Sequence, residues 1–298
     1  MKVLSCWQLY VLMIPALVWL ILFCYKPMYG VLIAFKDFKA RDGIMASPWA
    51  DPIWKYFDQF FSTSIAVTAI KNTIILSLEQ LVINFPIPII FALLLNQVKS
   101  NKARKFVQTV SYAPYFLSNV ILVSVMNLLF GANGVVNALI TGATGGSPVQ
   151  FTSAAEYFRP MYIGSTVWQS MGFNAIVYIA ALAGISPDFY EAAVVDGATK
   201  LQRIFYIDIP LIMPTVILML ILAIGQIMGL GYEKAYLMQT GTNTTVSEII
   251  TTYTYKVGLQ GAQYSFATAV GLFNSVVNFV ILVLANFVSK KTADVSIF

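Results

Sequence analysis

Six apolar runs, each about twenty residues long, limit what this chain can become, because that length in helical geometry matches the hydrocarbon thickness of a bilayer. The first includes LYVLMIPALVWLILF, from Leu9 to Phe23, without a single charged residue. Where water is absent, a helix satisfies its own backbone groups. With 58% apolar and 10% charged residues and a mean hydropathy of +0.76, the composition lies outside the soluble globular class. The pattern predicts an all-α, polytopic membrane protein, one domain over 1–298, with spans near 6–35, 65–96, 106–130, 161–185, 211–232 and 264–288. Pro15 is a tolerable kink in the first of these.

The polar inventory is as informative. The chain has no His, which removes the commonest catalytic acid–base and metal ligand. Cys6 and Cys24 bracket the first apolar run, so a disulfide between them would fold that run back on itself; free thiols are expected. Met1 and Lys2 ahead of an apolar run also suit a secretory signal, with Cys24 lipidated after cleavage. Leu22 and Phe23 are bulky where small residues should precede a cut, so a retained first span is the expectation.

Lys99, Lys102, Arg104 and Lys105 crowd four bases into seven residues between the second and third spans, which marks that loop as cytoplasmic. Lys290 and Lys291 agree, whereas Lys36, Lys39, Arg41 and Lys55 after the first span pull the other way, interleaved with acids. Six spans with this loop inside place both termini and the loop between spans four and five in the cytoplasm. That last loop carries EAAVVDGATKLQRIFYIDIPLIMP, starting at Glu191. Ser186 and Pro187 form a favoured N-cap and first-turn pair, and Asp188 suits the positive helix end. A short helix is expected from there, stopped by Gly197 in a left-handed turn. LQRIFYI then resumes as a second short helical piece, with Pro210 and Pro214 restricting the approach to span five. The product is a compact helix-turn-helix element at the cytoplasmic membrane surface, over about 187–203, which the resemblance given next implies to be a coupling helix. An amphipathic loop parked in the lipid headgroups would share these features.

EAA, then Asp196-Gly197-Ala198, then Phe205, Ile207 and Pro210 resembles the EAA motif of permease subunits of binding-protein-dependent ABC importers. Ile209 stands where that family usually has Leu. YKPMYGVLIAFKDF from Tyr25, NTIILSLEQLVINFPIPIIFALLLN from Asn72 and VWQSMGFNAIVYIAALAGISPDFYEAA from Val167 are similar to its carbohydrate branch, above all to permeases for complex oligosaccharides and polysaccharide fragments. The resemblance implies a bacterial cytoplasmic-membrane subunit forming half of a translocation pathway. Its implied partners are a second homologous permease, two cytoplasmic ATPase subunits and an extracellular or periplasmic sugar-binding protein. It implies no catalysis by this chain and no bound cofactor: the sequence lacks a GxxxxGK[ST] loop, so ATP and Mg belong to the ATPase. Glu191, Ala192, Ala193, Asp196 and Gly197 are the expected coupling set, the acids pairing with basic groups, the alanines permitting close approach and the glycine making the turn.

Sugars offer CH faces and hydroxyls, so a pathway wants aromatic and uncharged hydrogen-bonding side chains. Trp168 with Asn174 leads the candidates, followed by Tyr178, Tyr115 and Asn119; Tyr112, Asn127, Gln169, Gln226, Asn274 and Asn278 are further ones. Interhelical hydrogen bonding or an aromatic belt explains such residues equally well. Glu79 is a carboxylate in apolar surroundings and should be neutral, paired or facing water. Residues 131–146, rich in Gly, Asn and Thr, read as a turn-rich loop, and the segment with Trp49, Trp54, Phe57, Phe60 and Phe61 as short amphipathic helices. Both are candidate contacts for a binding protein. A secondary transporter driven by an ion gradient is the alternative; it would need coupling carboxylates and an inverted repeat, of which only Glu79 is a candidate.

Overall fold

The computed structural model describes residues 7–293 and Ser296, so Cys6, Met1 and Lys2 lie outside the described residues. The described chain is helical throughout, with a single isolated bridge pairing Lys36 and Trp49. Six helical segments are long and apolar enough to cross a membrane: Leu9–Phe35, Ser64–Asn96, Asn119–Thr144, Ala155–Ala183, Lys200–Ile224 and Tyr264–Lys291. Cys24 is a free, exposed thiol on the first.

Four expected readings are corrected. The third span was placed at 106–130, but Asn101–Tyr112 is a separate helix, followed by a tight turn at Ala113–Phe116. Pro114 has no N–H to continue the ladder, and Ser118 caps a new helix by accepting from the Ile121 N–H at 3.3 Å. The expected loop 131–146 holds a helix, Val135–Thr144, between Gly134 and the left-handed Gly145. Its Asn137 is 1% exposed. The Asn137 amide donates to Gly131 and Val149 carbonyls, each at 2.9 Å, and its oxygen accepts the Val149 N–H at 2.8 Å. The polar side chain of this mostly apolar helix therefore closes the flanking turns rather than opening them to water. Finally, the piece beginning at Lys200 does not stop before Pro210. It runs unbroken to Ile224, passing through a wide π turn at Ile204–Asp208. A π turn just ahead of a proline reroutes the hydrogen bond that the imide nitrogen cannot make. The same span ends at Ile224, not near 232, and Asn278 and Asn274 hold the chain beyond it. The Met228 N–H donates to Asn278 Oδ1 at 2.9 Å and the Met228 carbonyl accepts from Asn274 Nδ2 at 3.0 Å.

The described chain divides into two compact units. One takes in residues up to Ala66 together with Tyr253–Phe273. The amphipathic segment anticipated there is the helix Lys55–Ser62, whose Phe60 is enclosed by Phe61, Tyr253, Phe266 and Phe273 with ring centroids 5.2–6.4 Å away. Lys36, also buried, places its ammonium on the carbonyls of Ile44 (2.8 Å) and Met45 (3.0 Å), at the negative end of the short helix Gly43–Ala46.

The other unit comprises Val67–Thr252 and the chain from Asn274. Two buried clusters organise it: Leu76, Phe158, Tyr162, Ile163, Ala235 and Ile249, and Ala92, Leu93, Ala175, Tyr178, Leu182 and Ile212. Because lipid is as apolar as these side chains, close packing rather than expulsion from water drives helices together here. Gly172 shows how close: a Cβ there would lie 2.3 Å from the Ser111 carbonyl oxygen, so only glycine lets the fourth span meet the helix Asn101–Tyr112.

Candidate functional site: an exposed knob and a polar cavity

The loop between the fourth and fifth spans folds as a two-armed knob. Ser186 Oγ accepts the Asp188 N–H at 3.4 Å, Pro187 occupies the first turn, and the helix runs Pro187–Val195. It ends with two overlapping bonds, Gly197 N–H to the Val194 carbonyl (3.1 Å) and Ala198 N–H to the Ala193 carbonyl (2.8 Å). These bonds require a left-handed residue, and Gly197 supplies it with φ +75. Thr199 restarts the helix at once through a capping box with Gln202. Glu191, Ala192, Asp196 and Gly197 are exposed and Ala193 is half-buried. Around them Phe189, Val194, Val195, Leu201, Phe205 and Tyr206 also stand exposed, Val195 at 87% and Tyr206 at 80%. These apolar side chains have no covering partner within the chain, whether lipid headgroups or another protein meets them.

A tie that the sequence reading missed fixes the knob to the spans. The Tyr190 hydroxyl donates to Asp208 Oδ1 at 2.5 Å, and Gln97, at the end of the second span, donates to Asp208 Oδ2 at 3.1 Å. Asp208 is fully buried within the π turn of the fifth span. Burial and the neighbouring Asp208 carboxylate push the Tyr190 phenol up to about 12, so it remains a donor at any physiological pH. One side chain thus joins the first arm of the knob to two spans.

The pathway candidates are dispersed. Asn174 lines a cavity of about 210 Å³ with Ser77, Gln80, Asn84 and Gln226. Its polar groups are uncharged, and the Ser77 hydroxyl is buried without a partner. Trp168 is not there. It borders a separate, largely apolar cavity of about 340 Å³ among Leu122, Met126, Phe130 and Gly164, because six residues along a helix turn the two side chains well apart. Tyr178 is core, 2% exposed. Tyr115 stacks on Phe173 at 3.8 Å between centroids. Asn119 Nδ2 donates to Glu233 Oε2 at 2.6 Å. Glu79 faces Arg159 across 3.7 Å, a loose ion pair in which Arg159 also reaches Asn72 Oδ1 at 3.4 Å. Arg159 went unremarked because it lies in the first turns of the fourth span, outside the boundary expected at 161.

Residues 84–294, which include the knob and most of the cavity wall, match the family of binding-protein-dependent transport system inner membrane components. The chain belongs to that family. Among its relatives it is similar to Protein LplB of Bacillus subtilis (strain 168), 41% identical over 95% of this chain and 88% of the relative. It is 40% identical to the polygalacturonan/rhamnogalacturonan transport system permease protein YteP of the same organism, over 97% of this chain and 90% of that one. Among solved structures it is similar to a chain of a bacterial alginate ABC transporter in complex with an alginate pentasaccharide-bound periplasmic protein. The TM-score there is 0.89 at 38% identity, covering 99% of this chain and 98% of that one. This permease is therefore a multi-pass membrane protein of the binding-protein-dependent class, and the ion-gradient alternative is set aside.

Proposed function

We propose that this chain forms half of the translocation pathway of an ATP-driven importer for oligosaccharides or polysaccharide fragments. In this reading it takes its power stroke from a separate ATPase through the knob at Pro187–Val195. The observation that carries the proposal is the knob itself: exposed, apolar, turned by Gly197 and bolted by Tyr190 and Asp208 to the fifth and second spans. A surface meant only to rest in lipid headgroups needs no such bolt, whereas a surface that transmits force must not slip. Relatives along the whole chain are named for sugar polymers, and the cavity at Asn174 offers the uncharged donors and acceptors that sugar hydroxyls pair with.

A second homologous permease supplies the other half of the path, two cytoplasmic ATPase subunits bind ATP and Mg, and a binding protein outside delivers the sugar. The knob, both termini and the basic segment at Lys99–Lys105 face the cytoplasm. ATP draws the two ATPases together, the paired knobs follow, and the bundle opens outward to receive its load. Glu191 and Asp196 pair with basic groups of the ATPase socket, and Ala192 and Ala193 let its surface come close. This chain performs no hydrolysis. Affinity purification of the tagged chain from its native membrane tests the reading: a second permease and an ATPase should come with it, and the vesicle-reconstituted complex should accumulate oligosaccharide only with ATP. Recovery of the chain alone, or uptake driven by an ion gradient without ATP, overturns it.

A further inference from the structure

Lys234 is the one cation of the second unit that is buried and faces no acid among the described residues. It lies on the short helix Tyr232–Leu237, beyond the end of the fifth span, and is 6% exposed. Its ammonium donates to the Tyr162 carbonyl at 3.0 Å and to Thr166 Oγ1 at 2.5 Å, and sits 4.7 Å from the Tyr162 ring centroid. Every partner is neutral. Lys36, the other buried lysine described above, differs: it rests on the carbonyls at a helix C-terminus, whose partial negative charge compensates it. The Tyr162 and Thr166 acceptors lie in the middle of the fourth span, where no such end charge exists.

Position gives this lysine its meaning. Toward one side lies the polar cavity lined by Asn174 of the fourth span and by Leu230. Toward the other lies a second cavity, about 220 Å³, lined by Phe158 and Met161 of the same span and by Leu237 and Gln239. Lys234 falls between the two along both segments, and its contacts at Tyr162 and Thr166 fill the interval on the fourth span. Gln80, which lines the first cavity, hydrogen-bonds the Tyr162 side chain. In its present rotamer Lys234 lines neither cavity, and the flexible four-carbon stem is its means of reaching them.

Resting on the oligosaccharide-import reading above, we propose that Lys234 is a carboxylate-recognising station between these cavities, selecting chains that contain uronic acid residues over neutral ones of equal length. A buried ammonium without a counter-ion is costly, and a passing sugar carboxylate supplies what the protein omits. Burial holds the Lys234 ammonium down at about 7, so near neutrality it gives up or regains its proton easily, and a bound anion would favour the charged form. Most other charges nearby are already engaged, among them Glu248, beside Ile249 of the same buried cluster, which accepts from the Thr252 hydroxyl at 2.7 Å. Glu233 accepts from Asn119, and Arg159, one turn before Tyr162, faces Glu79. Glu156 stands at the start of the fourth span, Tyr157 and Tyr236 are phenols, and the helix Asn119–Phe130 packed against Tyr232–Leu237 carries no ionisable side chain.

The test compares uptake of a galacturonic acid pentasaccharide with uptake of its fully methyl-esterified, uncharged counterpart by the intact complex in vesicles. Lys234→Met should lower the acid-to-ester uptake ratio about tenfold, carried by the apparent KM, and Lys234→Arg should restore it. In the unaltered complex the ratio should fall as pH rises from about 6 to about 8.5, since the lysine loses its proton above its depressed pKa while the carboxylate stays ionised. Lys234→Arg, charged throughout, should flatten that profile. A ratio unchanged by Lys234→Met, or a pH profile identical in the unaltered and Lys234→Arg complexes, overturns the proposal while leaving the importer reading intact. If the unaltered complex imports the ester but not the acid, the charge assignment fails alone; if it imports neither, the import reading fails and takes this proposal with it.

Discussion

Gly197 and Tyr190 show what single residues contribute to this molecule. At φ +75 a β-branched side chain meets its own backbone, at about 1–3 kcal/mol, even though no neighbouring atom lies within 4 Å of a Cβ there. Gly197→Val should therefore leave the chain in the membrane at close to normal amounts and abolish coupled uptake, as seen by immunoblotting of membranes beside a transport assay; normal uptake would remove Gly197 from the coupling set. Tyr190→Phe deprives the buried Asp208 of one donor, a loss of about 1–3 kcal/mol, and should loosen the knob, so that ATP hydrolysis continues while uptake per ATP falls. Because the phenol keeps its proton up to about 12, uptake should show no titration from this tie between pH 6 and 9. Gly197 was legible in the sequence, since a left-handed stop leaves a local mark between Asp196 and Thr199. Asp208 was not: its partners Tyr190 and Gln97 lie 18 and 111 residues away, and no local pattern encodes such a meeting.

At the scale of elements, apolar length identified the spans, while their ends followed chemistry that length does not report. Pro114 and Ser118 moved the start of the third span, and Gly225 with the asparagines at 274 and 278 closed the fifth. Pro210 misled in the opposite sense, because a π turn absorbed its missing donor. The helix Val135–Thr144 escaped notice because turn residues flank it, GANG before and GG after, while its own residues are mostly apolar; one buried amide ties it to those flanks. Asn137→Ala leaves the Gly131 and Val149 groups short of partners and should destabilise this element by about 3 kcal/mol. The expected readout is faster proteolysis or amide exchange within 131–150, with the rest of the chain unaffected. Exchange equal to that of the unaltered protein would mean that water replaces the side chain.

For the whole molecule, the family was readable from EAA, DGA and their place between two spans, since the caps and the turn that shape this element sit together in one short stretch. The pathway was not readable: Trp168 and Asn174 share a helix but not a cavity. The assembly gives its own test. Val195, 87% exposed, can carry a spin label, and its distance to a label at the matching site of the second permease should shorten when ATP binds and lengthen after hydrolysis; a distance indifferent to nucleotide would contradict the stroke. One further consequence belongs to the unbroken helix Lys200–Ile224. At 1.5 Å per residue it is an oar about 37 Å long, its handle tied to the knob through Asp208 and Tyr190, and a swing of about 10° sweeps the far end through about 6 Å, roughly the width of a sugar ring.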